Sequence, residues 1–240
     1  DTADKLSTFR FVVRKVARDM GLHATFMPKP IFGANGSGMH VHMSLFKNGD
    51  NAFYKEGSEH DGISDIMRWY VGGLLTHARA FSAVTNPTVN SYKRLVPGYE
   101  APTHLAWSMR NRSPLIRVPA RRGLGTRCEL RSPDPSCNPY LAFAVMLAAG
   151  LDGVRNQIEP PAPVTANVYT MSKRERSRHK IKSLPANLGE ALAQFEKSSV
   201  MKEALGEHVF RQFLNAKQAE WGEYIAHVHP WEIDNYLTRL

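Results

Sequence analysis

The stretch Arg127-Cys128-Glu129-Leu130-Arg131 alternates charged and apolar side chains. On a β-strand, successive side chains point to opposite faces, so the two arginines and the glutamate share one face and the cysteine and leucine point to the core. A carboxylate between two arginines should have a lowered pKa and stay ionised, which makes it a suitable ligand for a hard cation. A surface ladder of salt bridges would show the same pattern, so the stretch alone leaves both interpretations open.

A second alternating stretch, residues 39–46, lies upstream. On a strand, His40, His42 and Ser44 share one face, and the apolar residues between them share the other. The preceding loop at 33–38 offers backbone N–H groups with little steric bulk, as anion sites require. Two imidazoles and a hydroxyl on one face suit a metal ion or a polyphosphate. A solvent-facing edge strand is the alternative.

The loop at residues 90–102 carries two prolines and a glycine that restrict its backbone. Arg94 and Glu100 are its charged ends. A single glutamate in a loop is usually solvated, so Glu100 in isolation is only weak support for acid–base chemistry.

The net charge of +9 has three interpretations: nucleic-acid binding, an anionic small substrate, or separation from an acidic part of the protein. Arginine dominates one region of 38 residues, which holds Arg94, Arg110, Arg112, Arg117, Arg121, Arg122, Arg127 and Arg131. The planar guanidinium suits bidentate contact with phosphate or carboxylate, so the distribution favours a small anionic substrate. The basic run at 173–180 is the one plausible nucleic-acid patch, and it lacks interleaved aromatic residues.

The periodicity of apolar residues predicts an α+β fold, with a small antiparallel sheet packed against helices. Helices are predicted at 4–20, 63–84, 138–157 and across 187–240, and strands at 22–27, 39–46, 104–110, 115–118 and 126–131. A hairpin turn is predicted at 48–50, and 167–185 is predicted to be basic and irregular. No apolar stretch is long enough for a membrane span, and Cys128 and Cys137 are predicted to be reduced thiols in a cytosolic protein.

Taken together, these segments resemble the glutamine synthetases of type I, the glutamate–ammonia ligases. The resemblance is carried by Asn-Pro-Thr-Val-Asn-Ser-Tyr-Lys-Arg-Leu at 86–95, Gly-Tyr-Glu-Ala-Pro at 98–102, Arg-Asn-Arg at 110–112, Pro-Asp-Pro-Ser-Cys-Asn-Pro-Tyr at 133–140 and His-Pro-Trp-Glu at 229–232. It covers all 240 residues and implies the fold of that catalytic domain. It also implies that residues 1–240 are its C-terminal portion, with an N-terminal domain and the first part of the catalytic domain outside this chain.

The resemblance implies a role for each candidate residue. Glutamate would be contacted by Asn35, Gly36, Arg94, Arg112 and Arg131, and ATP by His42, Ser44, Arg112, Arg117 and Arg127. His40 and Glu129 would ligate Mg²⁺ or Mn²⁺. Glu100, on a flap, would help deprotonate ammonium and close the site, and Arg112 would bridge ATP phosphate and substrate as a second catalytic residue.

The family phosphorylates the γ-carboxylate of glutamate with ATP, and ammonia then attacks the acyl phosphate. The resemblance therefore implies ATP as co-substrate, with L-glutamine, ADP and phosphate as products. It further implies a cytoplasmic homo-oligomer of two stacked hexameric rings, with no membrane partner and no nucleic acid. A glutamate–polyamine ligase and a non-catalytic binding relative are the alternatives. Because Mg²⁺ takes about six ligands, two protein ligands predict that the isolated chain has little activity.

Two positions depart from the family pattern. Tyr169 aligns with a tyrosine that is adenylylated in some relatives, but the basic segment at 171–174 replaces the acidic context expected there, so this modification is not expected. The spacing between Arg117 and Arg127 is about one residue short, which leaves the roles of Arg121 and Arg122 open.

Overall fold

A computed structural model describes residues 1–109 and 111–240. The helices are α1 (Thr2–Asp19), α2 (Asp65–Thr85), α3 (Ser91–Arg94), α4 (Pro139–Arg155), α5 (Lys173–Arg178), α6 (Leu188–Glu196), α7 (Ser199–Ala226) and α8 (Pro230–Tyr236). The strands are β1 (Val41–Met43), β2 (Phe46–Lys47), β3 (Asp50–Asn51), β4 (Trp107–Met109), β5 (Ile116–Val118) and β6 (Cys128–Leu130), and a 3₁₀ turn spans Gly123–Gly125. The predicted α+β class is confirmed. The last residue of the strand predicted at 104–110, Arg110, lies outside the described residues.

The larger sheet has the order β1-β6-β5-β4. β6 pairs antiparallel with both β1 and β5, as predicted. β4 and β5 instead pair in parallel, with Trp107 opposite Ile116 and Met109 opposite Val118, so the expectation of a wholly antiparallel sheet is wrong for this pair. A strand of three residues spans only about 7 Å from first to last Cα. The short connection between β4 and β5 can therefore return the chain to the end of the sheet at which β4 begins.

The predicted strand at 39–46 is divided in two, because β1 ends at Met43 and β2 begins at Phe46. β2 and β3 form the predicted hairpin, and the two turn residues, Asn48 and Gly49, have φ angles of 53° and 91°. Positive φ at both central positions is the geometry of a type I′ turn, which matches the twist of hairpin strands and favours the Asn-Gly pair found here.

The prediction of a strand at 22–27 is wrong. These residues all lie within the described range, and they form no strand. Alternation of side chains requires a neighbouring strand before it becomes a sheet. The segment lies against α1 instead. The ring of Phe26 packs edge-on against that of Phe9, with centroids 6.2 Å apart, and the guanidinium carbon of Arg14 lies 5.4 Å from the centroid of the Phe26 ring.

Helices α2 and α4 cross closely at the centre of the fold, and both begin where the sequence predicts. The Ser64 side chain accepts a hydrogen bond from the backbone N–H of Met67 at the start of α2, and Asn138 caps α4 in the same way. At the crossing, a Cβ placed on Gly73 would overlap the Ala149 carbonyl oxygen, and one on Gly153 would overlap that of Trp69. The glycines therefore allow the two backbones to approach within contact distance.

The C-terminal region is helical as predicted, and α6 packs onto α7 through aromatic rings, of which the Phe195–Phe210 pair is stacked and the Phe195–Phe213 pair is tilted. The Phe195 ring lies 4.5 Å from that of Phe210 and 5.4 Å from that of Phe213, measured between centroids. The segment predicted to be irregular contains one short helix, α5, because Ser172 and Glu175 form a reciprocal capping box at its start. No helix in the described residues is both long and apolar enough to cross a membrane.

His104 lies where two segments outside the named strands, around residues 103–105 and 182–184, are joined by backbone hydrogen bonds. Its side chain is buried and its Nδ1 lies 2.9 Å from the Thr103 hydroxyl, while the backbone of Thr103 and Leu105 bonds to residues 182–184. Burial lowers the pKa of His104, and the nearby charge of Arg176 lowers it further.

The His104 environment predicts a stability change on acidification. The folded protein resists protonating this histidine, whereas the unfolded chain takes up a proton near the ordinary value of 6.5. The free energy of unfolding should therefore be unaffected by His104 above that pH and should fall as the pH drops below it. Urea unfolding between pH 7 and 5 measures this, and His104→Gln should flatten the fall. An identical pH dependence in wild type and variant would contradict the prediction.

Candidate functional site

The register of the larger sheet brings the predicted charged residues onto one face. His42 lies opposite Glu129 across the β1–β6 pair, and Arg117 lies opposite Glu129 across the β5–β6 pair. His40 precedes β1 on the same face as His42, and the apolar residues between them pack against the core. Three chain segments far apart in sequence therefore meet around one carboxylate.

Glu129 is buried, with its side chain only 4% exposed. This excludes the surface salt-bridge ladder, because that interpretation requires a solvated carboxylate. His40 Nδ1 donates to Glu129 Oε1 at 3.0 Å, Arg117 Nη1 lies 3.1 Å from Oε2, and Arg131 Nε lies 3.7 Å from Oε1. Burial acts to raise the pKa of Glu129, but the hydrogen bond from His40 and the charge of Arg117 outweigh it and hold the pKa below its usual value.

The Glu129 carboxylate retains capacity for a cation. Its Oε2 atom is buried and, among the described residues, receives no hydrogen bond of acceptable geometry, although Arg117 is close. With the neighbouring His40, it offers an imidazole and a carboxylate, which are ordinary ligands for divalent ions. The described residues place no group of three or more His, Cys, Asp or Glu side chains around a single point.

A cavity of about 260 Å³ adjoins this cluster. Six of the predicted site residues line it: Asn35, Gly36, His40, Arg94, Glu100 and Arg131. Four of the five predicted glutamate-binding residues and the predicted flap carboxylate thus line one volume, together with the metal-ligand candidate His40, whereas Arg112 does not. The volume suits a ligand of amino-acid size, since sites for drug-sized ligands are larger, at about 300–1,000 Å³.

The two arginines of this cavity differ in what they bind within the chain. Arg94 is buried and its guanidinium donates to the carbonyl oxygens of Ser132 at 2.6 Å and Arg131 at 3.2 Å. It supports the cavity wall, and Gly38 must lack a side chain because a Cβ there would overlap the guanidinium. Arg131 instead keeps Nε and Nη1 buried without a hydrogen-bond partner among the described residues. It is therefore the arginine with free donors for an anion.

The predicted nucleotide residues lie beside the cluster. Arg127 Nε donates to His42 Nδ1 at 3.1 Å, and Arg127 Nη1 donates to the carbonyl of Gly125 at 3.0 Å. Burial lowers the pKa of His42, so the ring is neutral at physiological pH and accepts this bond. His42 and Ser44 also line a second, largely apolar cavity of about 330 Å³. Arg112 is exposed and, as far as the described residues show, is absent from the lining of both cavities.

The structure indicates a role for Arg122, which the sequence leaves open. Its Nε donates to the carbonyl of Asp61 at 2.5 Å, its Nη2 to the Asp61 carboxylate at 2.8 Å and its Nη1 to the carbonyl of Pro119 at 2.6 Å. These contacts hold the segment between β5 and β6 against the loop before α2, which is a structural function. Arg121 is exposed and packs against Gly125.

Sequence reasoning overlooked Asn51, on β3. Its buried side-chain amide donates to the carbonyls of Leu124 at 3.0 Å and Thr126 at 2.8 Å, and its Oδ1 accepts from the backbone N–H of Phe53 at 2.9 Å. The hairpin is thereby bound to the segment that leads directly into Arg127. No local pattern identifies such a residue, because the two carbonyls that its amide binds, those of Leu124 and Thr126, are more than seventy positions away in the sequence.

Residues on both sides of the Glu100 loop were also overlooked as site residues. Tyr169 donates its hydroxyl to the Glu100 carbonyl at 2.9 Å. On the other side, the Lys29 ammonium lies 3.6 Å from the centroid of the Tyr99 ring. Tyr169 was noted only for its alignment with a modified tyrosine, and Lys29 carried no signal in the sequence.

An arginine-rich sheet face around one buried, ionised carboxylate is the kind of site that binds phosphate and carboxylate groups together with a cation. The chain belongs to the glutamine synthetase family, because the family description "Glutamine synthetase, catalytic domain" matches residues 1–236.

Individual relatives agree with the family assignment. The chain is 59% identical over 237 residues to a glutamine synthetase of Thermus thermophilus, covering 99% of this chain and 53% of the relative, and 57% identical over 239 residues to one of Methanosarcina mazei, covering 100% and 53%. A solved structure described as "GmaS/ADP complex-Conformation 1" superposes with a TM-score of 0.89 at 38% identity, covering 99% of this chain and 54% of that one. The chain thus spans about half the length of the curated relatives it matches.

Proposed function

We propose that this chain is part of a glutamate–ammonia ligase and carries most of the residues that bind ATP and glutamate. The enzyme would ligate ammonia to L-glutamate through γ-glutamyl phosphate, giving L-glutamine, ADP and phosphate. The observation that carries the proposal is the buried Glu129 cluster, placed beside a cavity that holds both Arg131 donors and the Glu100 loop. The 51–59% identity to proteins named glutamine synthetase supports it.

Each candidate residue has a proposed task in this reaction. Glutamate is bound by Asn35, Gly36, Arg94, Arg112 and Arg131, and ATP by His42, Ser44, Arg112, Arg117 and Arg127. Phosphoryl transfer spreads negative charge over the transferred group, and fixed guanidinium groups stabilise that charge. The free Nε and Nη1 donors of Arg131 support its role as a carboxylate ligand.

The second half-reaction requires an unprotonated amine and the exclusion of water. Glu100 lines the cavity, where its carboxylate would accept a proton from bound ammonium. The loop that carries it lines the cavity, and closure of this loop would keep water from the acyl phosphate until ammonia attacks.

His40 and Glu129 would hold Mg²⁺ or Mn²⁺, and the ion when bound would neutralise charge on the phosphate oxygens. The orphaned Oε2 of Glu129 supports this assignment. We propose that the remaining ligands come from outside residues 1–240, since the described residues bring no third His, Cys, Asp or Glu side chain to this pair.

The chain would act within a longer protein. We propose that residues 1–240 are the C-terminal portion of the catalytic domain, and that the intact enzyme is a cytoplasmic homo-oligomer of two stacked hexameric rings. Within the described structure, α1 has no buried residue, and the Phe11 side chain is 71% exposed. Such an apolar face is available for contact with other parts of the enzyme. The two buried cysteines are unpaired, as expected for a reducing compartment.

The proposal predicts that activity requires more than these residues. Full-length enzyme supplied with glutamate, ammonium, ATP and Mg²⁺ should form glutamine, and purified 1–240 should form at least about a hundredfold less, because its described residues bring together no group of three or more His, Cys, Asp or Glu side chains for a metal ion. Glutamine is measured by chromatography and ADP by a coupled assay. Comparable rates from the isolated chain would contradict the incomplete metal site. Product formation with putrescine in place of ammonium would contradict the assigned amine.

A further inference from the structure

The loop at residues 97–101 has no regular secondary structure, and its residues Tyr99, Glu100 and Ala101 line the cavity. Glu100 has a φ angle of 55°, in the left-handed region that a residue with a Cβ adopts only unfavourably. A loop in such a conformation persists only when its surroundings fix it. Two contacts, one to Glu100 and one to the neighbouring Tyr99, meet this requirement.

The first contact comes from the segment that precedes α5. Tyr169 donates its hydroxyl to the carbonyl oxygen of Glu100 at 2.9 Å, and its backbone N–H donates to Asn167 Oδ1 at 3.0 Å, which fixes the tyrosine. Burial raises the pKa of the Tyr169 phenol, so its hydroxyl remains protonated and able to donate near neutral pH. The bond is made to the one residue of the loop whose backbone is strained.

The second contact comes from the segment before the glycine-rich loop. Lys29 is almost fully buried, its ammonium donates to the Ala34 carbonyl, and the same ammonium lies 3.6 Å from the Tyr99 ring centroid. Asn90 fixes the Lys29 backbone through two hydrogen bonds of 2.7 and 3.0 Å. A desolvated cation on an aromatic face is among the stronger interactions of this type.

We propose that Lys29 and Tyr169 are positioning residues that clamp the Glu100 loop at the cavity, one through Tyr99 and one through the Glu100 carbonyl, an inference that rests on the proposed ligase function. Neither residue touches the reacting atoms. They hold the backbone that presents the Glu100 carboxylate to ammonium and keep water out. If the clamp loosens, water attacks the acyl phosphate instead of ammonia, which returns glutamate and phosphate, so that ATP is hydrolysed without formation of glutamine.

The test compares Tyr169→Phe, Lys29→Met and wild type in the full-length enzyme. Tyr169→Phe removes one hydrogen bond and keeps the ring, so kcat/KM for ammonium should fall about fivefold. The ratio of phosphate released to glutamine formed should rise above one, and KM for ATP should be unchanged. Lys29→Met keeps an unbranched side chain one atom shorter and removes the charge, and it should shift the same two quantities in the same direction.

Tyr140→Phe is the matched control, because Tyr140 also loses a phenolic hydrogen bond, to Asp4 at 2.6 Å, outside the cavity. It should leave both the ammonium kinetics and the product ratio at wild-type values. If Tyr169→Phe and Lys29→Met keep a ratio of one and the wild-type kcat/KM for ammonium, the clamp is refuted while the ligase function stands. A wild-type enzyme that forms no glutamine refutes the ligase function and the clamp with it.

Discussion

Glu129→Ala in the full-length enzyme should raise the divalent cation concentration needed for half-maximal activity by about a hundredfold or more, since loss even of an outer partner of a metal site costs 10–100-fold. The wild-type carboxylate is buried, ionised and within reach of His40, and alanine removes both of its oxygens. The arginines at 117 and 131 would then face each other without a counter-charge. Isothermal titration with Mn²⁺ measures the change directly, independently of turnover.

Two further variants make the Glu129 result specific. Glu129→Gln keeps the shape and removes the charge, so its cation requirement should lie between those of wild type and alanine. Glu207→Gln removes an exposed carboxylate on α7 that pairs with Lys202 and Arg211, and it should leave the cation requirement unchanged. If Glu129→Ala binds Mn²⁺ as tightly as wild type does, Glu129 is not a ligand.

Gly153→Val should lower the free energy of unfolding by about 3 kcal/mol or more, at the upper end of the range for overpacked cores. The position lies where α4 crosses α2, and even a single Cβ there would overlap the Trp69 carbonyl and press against Gly73. Backbone atoms cannot rotate away as a flexible side chain can, so the helices must separate. Urea unfolding followed by circular dichroism measures the loss.

Gly222→Ala is the control for the helix-crossing prediction. Gly222 lies in α7, and within the described part of the chain nothing comes within 4 Å of an added Cβ. Alanine reduces the entropy lost by glycine in a helix, so this variant should gain about 0.5–1 kcal/mol. Equal destabilisation by both substitutions would show that the effect of Gly153→Val is unrelated to close packing.

Elements with strong local signals were predictable from the sequence. The Asn-Gly turn at 48–49 and the caps Ser64 and Asn138 all formed where the residues indicate, because each depends on backbone geometry within a few positions. The strand at 22–27 failed because a strand needs a partner, and the parallel pairing of β4 with β5 was missed because pairing direction depends on distant contacts.

In the candidate site too, features set by local sequence were predictable and features set by distant contacts were not. Alternation correctly placed the histidines at 40 and 42 on the face of Glu129, since side-chain direction on a strand is local. Burial was not predictable from the sequence, and it is the burial of Glu129 that distinguishes a site from a surface salt bridge. Lys29 and Asn51 were overlooked because their contacts bring together segments that no periodicity connects.

The side-chain amide of Asn51 has a consequence for dynamics. A hairpin of two-residue strands is too short to be stable by itself, and this one is joined to the carbonyls of Leu124 and Thr126. The hairpin and the segment entering β6 should therefore open as one cooperative unit, with matched rates of amide hydrogen exchange. Fluctuations of a peripheral turn would in this way reach the guanidinium of Arg127.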